Sequence, residues 1–344
     1  MKNFNIRKRL LDGLSFGFLL ATAYFSIFMK TRQELEAGIF EASLMAFLFF
    51  AMGALASLLL DRSGVQTLGG QIFRSSQIRD PQEATPWHTT FWGLQLIVTF
   101  AVLVASGIFV TEVSIRELMS EDGFQGAVRI FKGITSPNFE ILPKGILAII
   151  ETIFIALIAT VFAVPVAFLL AFFSAKNLTR GSFKGAAVYT LLRSLSNMTR
   201  SIEPIIWAII FSVWVGIGPF AGALSLMLHS IASLTKQYSE IIECVDDGPI
   251  EGIRSTGAGT VQVVWFAVVP QIILPYVSFT IYRWDINVRM ATVIGLVGGG
   301  GIGQLLMQYQ GLAKWPEVGC LVLLITIVVW SMDAASSYIR EALK

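Results

Sequence analysis

The sequence predicts an all-α protein that crosses a membrane many times, and three observations carry that prediction. Hydrophobic residues make up 55% of the 344 and charged residues only 14%. The mean hydropathy is +0.70. Apolar runs approaching the ~20 residues of a membrane span recur along the whole chain. A water-soluble fold has nowhere to hide that much apolar surface, so lipid is the solvent for most of it.

The runs are Leu14 to Phe28, Gly38 to Leu60, Phe91 to Val110, Gly145 to Phe173, Ile205 to Ile217, Phe220 to Leu234, Val263 to Tyr282 and Val318 to Met332. They predict about eight membrane-embedded helices. Short or polar-interrupted runs such as Ile205 to Ile217 suit helices that line a cavity instead of facing lipid. Lys2, Arg7, Lys8 and Arg9 ahead of the first run resemble the start of a signal peptide. A first span entering from the cytoplasm reads better, because no small-residue cleavage site precedes the second run, which lies close enough to form a hairpin with the first.

Basic residues set the orientation. With the N-terminus inside, Lys30, Arg32, Arg116, Arg129, Lys132, Lys144, Arg283, Arg289 and Lys314 fall outside, and the other 16 of the 25 Lys and Arg fall inside. The positive-inside rule then puts both termini in the cytoplasm. Ser114 to Lys144 lies outside, and Ile115, Leu118, Met119, Val128, Ile130 and Phe131 suit an interfacial amphipathic helix.

Several function classes drop out. A net charge of +2 with dispersed basic residues implies no nucleic-acid surface. Cys244 and Cys320 lack CxxC spacing, and His88 and His229 sit in different segments, so neither a disulfide framework nor a zinc site is expected. There is no GxSxG or HExxH motif for a membrane-embedded enzyme, and no catalytic residue is expected. Gly298-x-Gly300-x-x-Gly303 satisfies a dinucleotide fingerprint formally, but it follows an apolar stretch where a soluble strand is needed. Those glycines read instead as positions where helices approach closely or unwind along a path.

One cytoplasmic loop stands out. From Glu240 to Thr260 it carries Glu240, Glu243, Asp246, Asp247 and Glu251 against Arg254 alone. Asp247-Gly248-Pro249 opens a turn suited to a first helical turn, and Gly257 falls two turns on, so a short helix near 249–257 is predicted. Glu251-Gly252-Ile253-Arg254-Ser255-Thr256-Gly257, with Val269-Pro270 downstream, resembles the EAA loop of ABC-importer permeases. Gly252 and Ile253 replace its two alanines, and Ala267 replaces its usual isoleucine.

Around the loop the resemblance narrows to phosphonate and phosphite importer permeases. It runs through Gly216-Ile217-Gly218-Pro219-Phe220-Ala221-Gly222, His229-Ser230, Gly248 to Arg254, Tyr282-Arg283-Trp284-Asp285-Ile286-Asn287-Val288-Arg289 and Gly295 to Gly303, covering roughly Phe91 to the C-terminus. It implies an inner-membrane permease of the type I (MetI-like) importer fold. Residues 144–344 would be the permease core, 91–143 a preceding helix with a periplasmic amphipathic segment, and 1–90 an added two-helix extension with a cytoplasmic loop.

The resemblance also implies a function and partners. The chain would translocate phosphonate, phosphite or phosphate, with a secondary, ion-coupled anion transporter as the alternative. It would act with a second permease chain, a periplasmic or lipid-anchored binding protein and an ATP-binding cassette ATPase dimer. No GxxxxGK[ST] occurs, so ATP and Mg would be held by that partner and no cofactor by this chain. Asp247, Glu251, Gly252, Ile253, Arg254 and Gly257 would couple to the ATPase.

Candidate pathway residues are Arg283, Asp285, Asn287, Arg289, His229 and Gly300. Intramembrane ionisable groups are expensive and mark function by default. Asp285 and Arg289 have the i,i+4 spacing of an ion pair, which suits a structural pin or a substrate contact equally. His229 fits a packed histidine or a proton relay.

Overall fold

The structure is a computed structural model and describes residues 2–31, 39–62, 67–72, 86–179 and 181–343. Every regular element among them is helical. The chain gathers into two compact units, Met1–Gly123 and Phe124–Lys344.

The first unit holds α1 (Lys2–Thr31), α2 (Ile39–Arg62), the short α3 (Leu68–Ile72), α4 (Phe91–Val110) and the single turn α5 (Ile115–Leu118). α1 and α2 run antiparallel, with Gly13 against Ala54 and Gly17 against Phe50. Polar groups tie the unit together inside its apolar surface. Buried Asp12 accepts from the Gly69 amide at 2.7 Å. Gln95 of α4 accepts from the Leu68 amide at 3.1 Å and donates to Ser15 at 2.8 Å. α4 therefore packs with α1. Arg74, Arg79, Asp80 and Pro81 of the expected cytoplasmic loop lie outside the described residues.

The second unit opens on α6 (Glu121–Thr135), which begins just before the unit boundary. Phe124, Val128 and Phe131 fall on one side of it and Asp122, Gln125, Arg129 and Lys132 on the other, the amphipathic pattern expected there. α7 (Leu142–Phe173) is the centre of the bundle. Ala156, Ala159, Ala163, Ala167 and Ala171, all fully buried, form a small-residue stripe along it that lets neighbours approach closely. After α8 (Lys176–Thr179), α9 (Phe183–Ser201) and α10 (Pro204–Val215) meet at a 90° bend. α11 (Pro219–Glu243) lies along α7.

α12 (Asp247–Ser255) and α13 (Thr260–Val263) follow, and a π-turn over Val264–Val268 leads into α14 (Val269–Gly295). α15 (Gly301–Gly311) and α16 (Trp315–Ala342) close the chain. Three apolar clusters stack along the bundle. One, at the α12 end, joins Ala171, Tyr238, Ile242, Ile272 and Tyr276, with Ile250 of α12 packed on it. The middle one joins Ala156, Leu226, Val288 and Ile294. The third joins Ile149, Ile302 and Leu321 at the opposite end.

The apolar runs lie largely on helices: α4 has the bounds of its run, Gly216 and Ile217 lie past the end of α10, Val263 to Tyr282 crosses α13, the π-turn and α14, and Gly38 lies outside the described residues. By length and composition, four stretches of the described residues can cross a membrane: Phe91–Val110, Phe139–Phe173, Thr260–Gly295 and Trp315–Ala342. The α9–α10 pair adds a fifth if it counts as one bent span. The chain is a multi-pass membrane protein.

One expectation is corrected. The run ending at Tyr282 placed Arg283 and Arg289 in an outside loop, yet α14 continues unbroken to Gly295. The helix survives these charges because Arg283 has a polar partner in buried Ser230 and Arg289 has one in Asp285 of α14 itself.

Candidate functional site

The acidic loop, where a short helix near 249–257 is expected, contains α12 over Asp247–Ser255. Asp246 caps α12 by accepting from the Gly248 amide at 3.3 Å, and Pro249 occupies the first turn, where its missing N–H costs no bond. Gln271 clamps this start to the next helix, accepting from the Asp246 amide at 3.0 Å and donating to the Ala267 carbonyl at 2.8 Å. Gly257 ends the segment with φ +82°, a left-handed conformation that side chains disfavour. Asp247, Glu251, Gly252 and Arg254 are exposed, while Ile250 and Ile253 turn inward. The result is a short amphipathic helix with a charged outer face. Its inner face rests on the cluster that contains the stacked Tyr238 and Tyr276 rings, 3.8 Å apart.

The second candidate site lies between the α12-end cluster and the middle cluster. Fully buried Asn287 of α14 donates to Thr160 of α7 at 2.9 Å and to Ser230 of α11 at 2.8 Å. Ser230 also accepts from Arg283 Nε at 3.1 Å. Three helices thus share one polar network, and breaking it would leave buried donors unmade.

Arg289 pairs along its own helix with Asp285, which is 1% exposed, and reaches across to Asp333 of α16 at 3.8 Å. A groove of about 410 Å³ runs past Arg289, Thr292, Thr326, Trp330 and Asp333. His229 presents a buried Nδ1 with no hydrogen-bond partner, and Arg200 of α9 is near enough for its charge to act on both His229 and Arg283.

The glycine run links α14 to α15. Gly300 takes φ +80° against Pro219, and the first amides of α15 are held by the protein itself: Gly301 donates to Glu151 at 3.3 Å and Ile302 to Thr152 at 2.8 Å. A carboxylate occupies the spot at this helix N-terminus where a free anion would otherwise be attracted.

The structure therefore brings Arg283, Asn287 and His229 together, with Asp285 and Arg289 on the same helix, and sets Gly300 apart at the α14–α15 junction. Sequence reasoning missed Thr160, Ser230 as an anchor, Arg200 as a neighbour and Asp333 as the second partner of Arg289. The i,i+4 spacing showed only the bond within α14; the others join residues far apart in the chain.

The family model described as the binding-protein-dependent transport system inner membrane component matches residues 164–344, more than half of the chain. The chain belongs to this family. It is thus a permease, and the ion-coupled carrier that the sequence left as an alternative is set aside.

Among curated proteins, the phosphite transport system permease protein PtxC of Stutzerimonas stutzeri is 32% identical over 250 residues, 73% of this permease and 89% of that protein. The phosphate-import permease protein PhnE of Mycolicibacterium smegmatis is 31% identical over 218 residues, 63% of this chain but only 40% of that longer protein. Among solved structures, an inward-facing form of the MetNI methionine ABC transporter aligns with a TM-score of 0.51 and 23% identity, covering 60% of the permease and 99% of the matched chain. That likeness shows the importer-permease fold over the part of the chain it covers and nothing finer.

Proposed function

We propose that this chain is the membrane-spanning permease of an ATP-driven importer for phosphorus oxyanions of the phosphonate, phosphite and phosphate class. The observation that carries the reading is the extent of the likeness to the phosphite permease, which takes in nearly all of that protein. α12 supports it: a nine-residue helix at one end of the unit, charged outside and apolar inside, suits docking on a partner.

In this reading Asp247, Glu251, Gly252, Ile253, Arg254 and Gly257 couple the permease to a separate ATPase dimer, which holds ATP and Mg and performs the hydrolysis. α12 and both chain termini face the cytoplasm of an inner-membrane protein with about eight spans. α1 and α2 form an added hairpin before the functional core that starts near Phe91. An external binding protein delivers the anion. One helix as short as α12 offers too little area for a stable contact, so two permease chains, identical or related, present two such helices to the ATPase pair.

Purifying the tagged chain with its native partners tests this. Two permease chains per two ATP-binding subunits are expected; recovery with no ATP-binding subunit would overturn the reading, and one permease per two would overturn the pairing.

Arg283, Asp285, Asn287, Arg289, His229 and Gly300 belong to the translocation path, with different tasks. Arg289, shared between two carboxylates, ties α14 to α16. Arg289→Lys keeps the charge and loses the planar fork. Uptake by this variant is expected to stay within about fivefold of wild type, because lysine keeps the charge beside buried Asp285 and the contact with exposed Asp333 contributes at most about 1 kcal/mol. A much larger loss in an intact complex would place Arg289 on the anion instead.

A further inference from the structure

The geometry points to Arg283, with Arg200 and His229 beside it, as the place where the permease itself holds the oxyanion during passage. This rests on the reading of the chain as a phosphorus-oxyanion permease, and it names the residues that bind.

Several cations in the bundle of the second unit are neutralised by acids. Arg193 pairs with Glu243 at 2.9 Å and Glu240 at 3.6 Å, Lys236 pairs with Glu240, and Arg289 pairs with Asp285 and Asp333. Among the described residues neither Arg283 nor Arg200 forms an ion pair. Yet Arg283 is only 7% exposed and sits in the middle of the bundle. Burying a guanidinium without a counter-charge costs several kcal/mol in round terms, and a second cation nearby adds to that cost. Arg200 is that cation, close enough to act on Arg283. A fold that needed only to be stable would place an acid here or no charge at all. A transported anion supplies the missing charge while it is present.

The donor set suits a tetrahedral oxyanion. Arg283 spends Nε on Ser230, at 3.1 Å, and makes no other hydrogen bond to the described residues, which leaves both terminal amino groups for two oxygens of one ligand. Its aim is fixed from behind. Ser230 is held by Asn287, and Asn287 by Thr160, so α7, α11 and α14 together orient the fork. Next to Ser230 in sequence, His229 is hydrogen-bonded through its ring to the Ile202 backbone, and its unpartnered buried Nδ1 is an acceptor for a protonated oxygen of the ligand. Arg200 stands at the foot of α9, just before the bend into α10, where a change in that bend would move it toward or away from Arg283. Occupancy is then brief by design, because two unpaired cations attract the anion only while both stay close.

The test uses the complete transporter, permease with its ATPase and binding protein, in proteoliposomes supplied with ATP and radiolabelled inorganic phosphate or methylphosphonate. Arg283→Gln keeps a neutral donor on a shorter side chain and removes the charge. It should lower the uptake rate by about tenfold or more, the factor that accompanies loss of a charge-assisted hydrogen bond, with the complex recovered intact. Arg283→Lys should recover part of that loss. If Arg283→Gln does not assemble, Arg200→Gln carries the test, since Arg200 is only half-buried, and a comparable drop is expected. Intact complexes of either glutamine variant that transport at the wild-type rate would overturn the assignment. Wild-type complexes that import neither anion, nor phosphite, would contradict the underlying reading of the substrate.

Discussion

Replacing Gly257 by valine will leave a permease that inserts and binds its ATPase but drives little uptake per ATP hydrolysed. Gly257 has φ +82°, and the space where a Cβ would go is empty within 4 Å. The substitution therefore meets no steric obstacle from neighbours, and its whole effect comes from the backbone. A β-branched residue in this region costs roughly 1–3 kcal/mol. The chain relieves that strain most cheaply by changing the turn between α12 and α13, which alters the angle at which α12 leaves the bundle. If α12 transmits the ATPase motion, a misdirected helix cuts uptake by about tenfold, the equivalent of about 1.4 kcal/mol.

Asparagine tolerates the left-handed region better than other side chains, so Gly257→Asn should transport close to wild type. Glu251→Lys should behave like the valine variant, by reversing charge on the exposed face. ATP hydrolysis and uptake measured side by side decide the matter. Uptake at the wild-type ratio in both Gly257→Val and Glu251→Lys removes α12 from the coupling role.

The largest structural effect is expected from a single methyl group at Gly303. A Cβ there would stand 1.9 Å from the Thr292 carbonyl oxygen and 2.9 Å from Gly295 Cα, both on the α14 backbone. No side chain can swing aside to make room, so α15 must move away from α14. That movement pulls Ile302 from the cluster it shares with Ile149 and Leu321 and breaks its 2.8 Å bond to Thr152. Gly303→Ala should lower stability by about 3 kcal/mol or more, at the upper end of what overpacking costs. Thermal unfolding in detergent would register it as a large fall in midpoint or in folded yield. Gly126→Ala on α6 is the control, because open space surrounds that position and alanine favours the helix by up to about 1 kcal/mol. A midpoint for Gly303→Ala equal to that of the control would contradict the packing described.

Features that depend on local pattern are legible in the sequence. Continuous apolar runs placed α4 to the residue, and Asp247-Gly248-Pro249 with Gly257 placed α12, because caps, turns and left-handed glycines are local chemistry. Two kinds of feature were not legible. α9 and α15 mix polar residues through short helices, as in Gly301-Ile302-Gly303-Gln304, so no apolar run marks them. The second half of α14 was read as a loop because Arg283, Asp285 and Arg289 interrupt the apolar pattern. Its charges are tolerated through Ser230 and Asp333, which approach only once the bundle has formed. The same blindness hid the contrast between a neutralised Arg289 and an unpaired Arg283, since spacing alone makes the two arginines look alike.

The most direct test of the central claim is to reconstitute the permease with its ATPase and binding protein and to follow phosphonate, phosphite and phosphate accumulation in sealed vesicles. Accumulation is expected only when ATP and loaded binding protein are both present, whatever ion gradient is imposed. Accumulation driven by a proton or sodium gradient without ATP would contradict that claim.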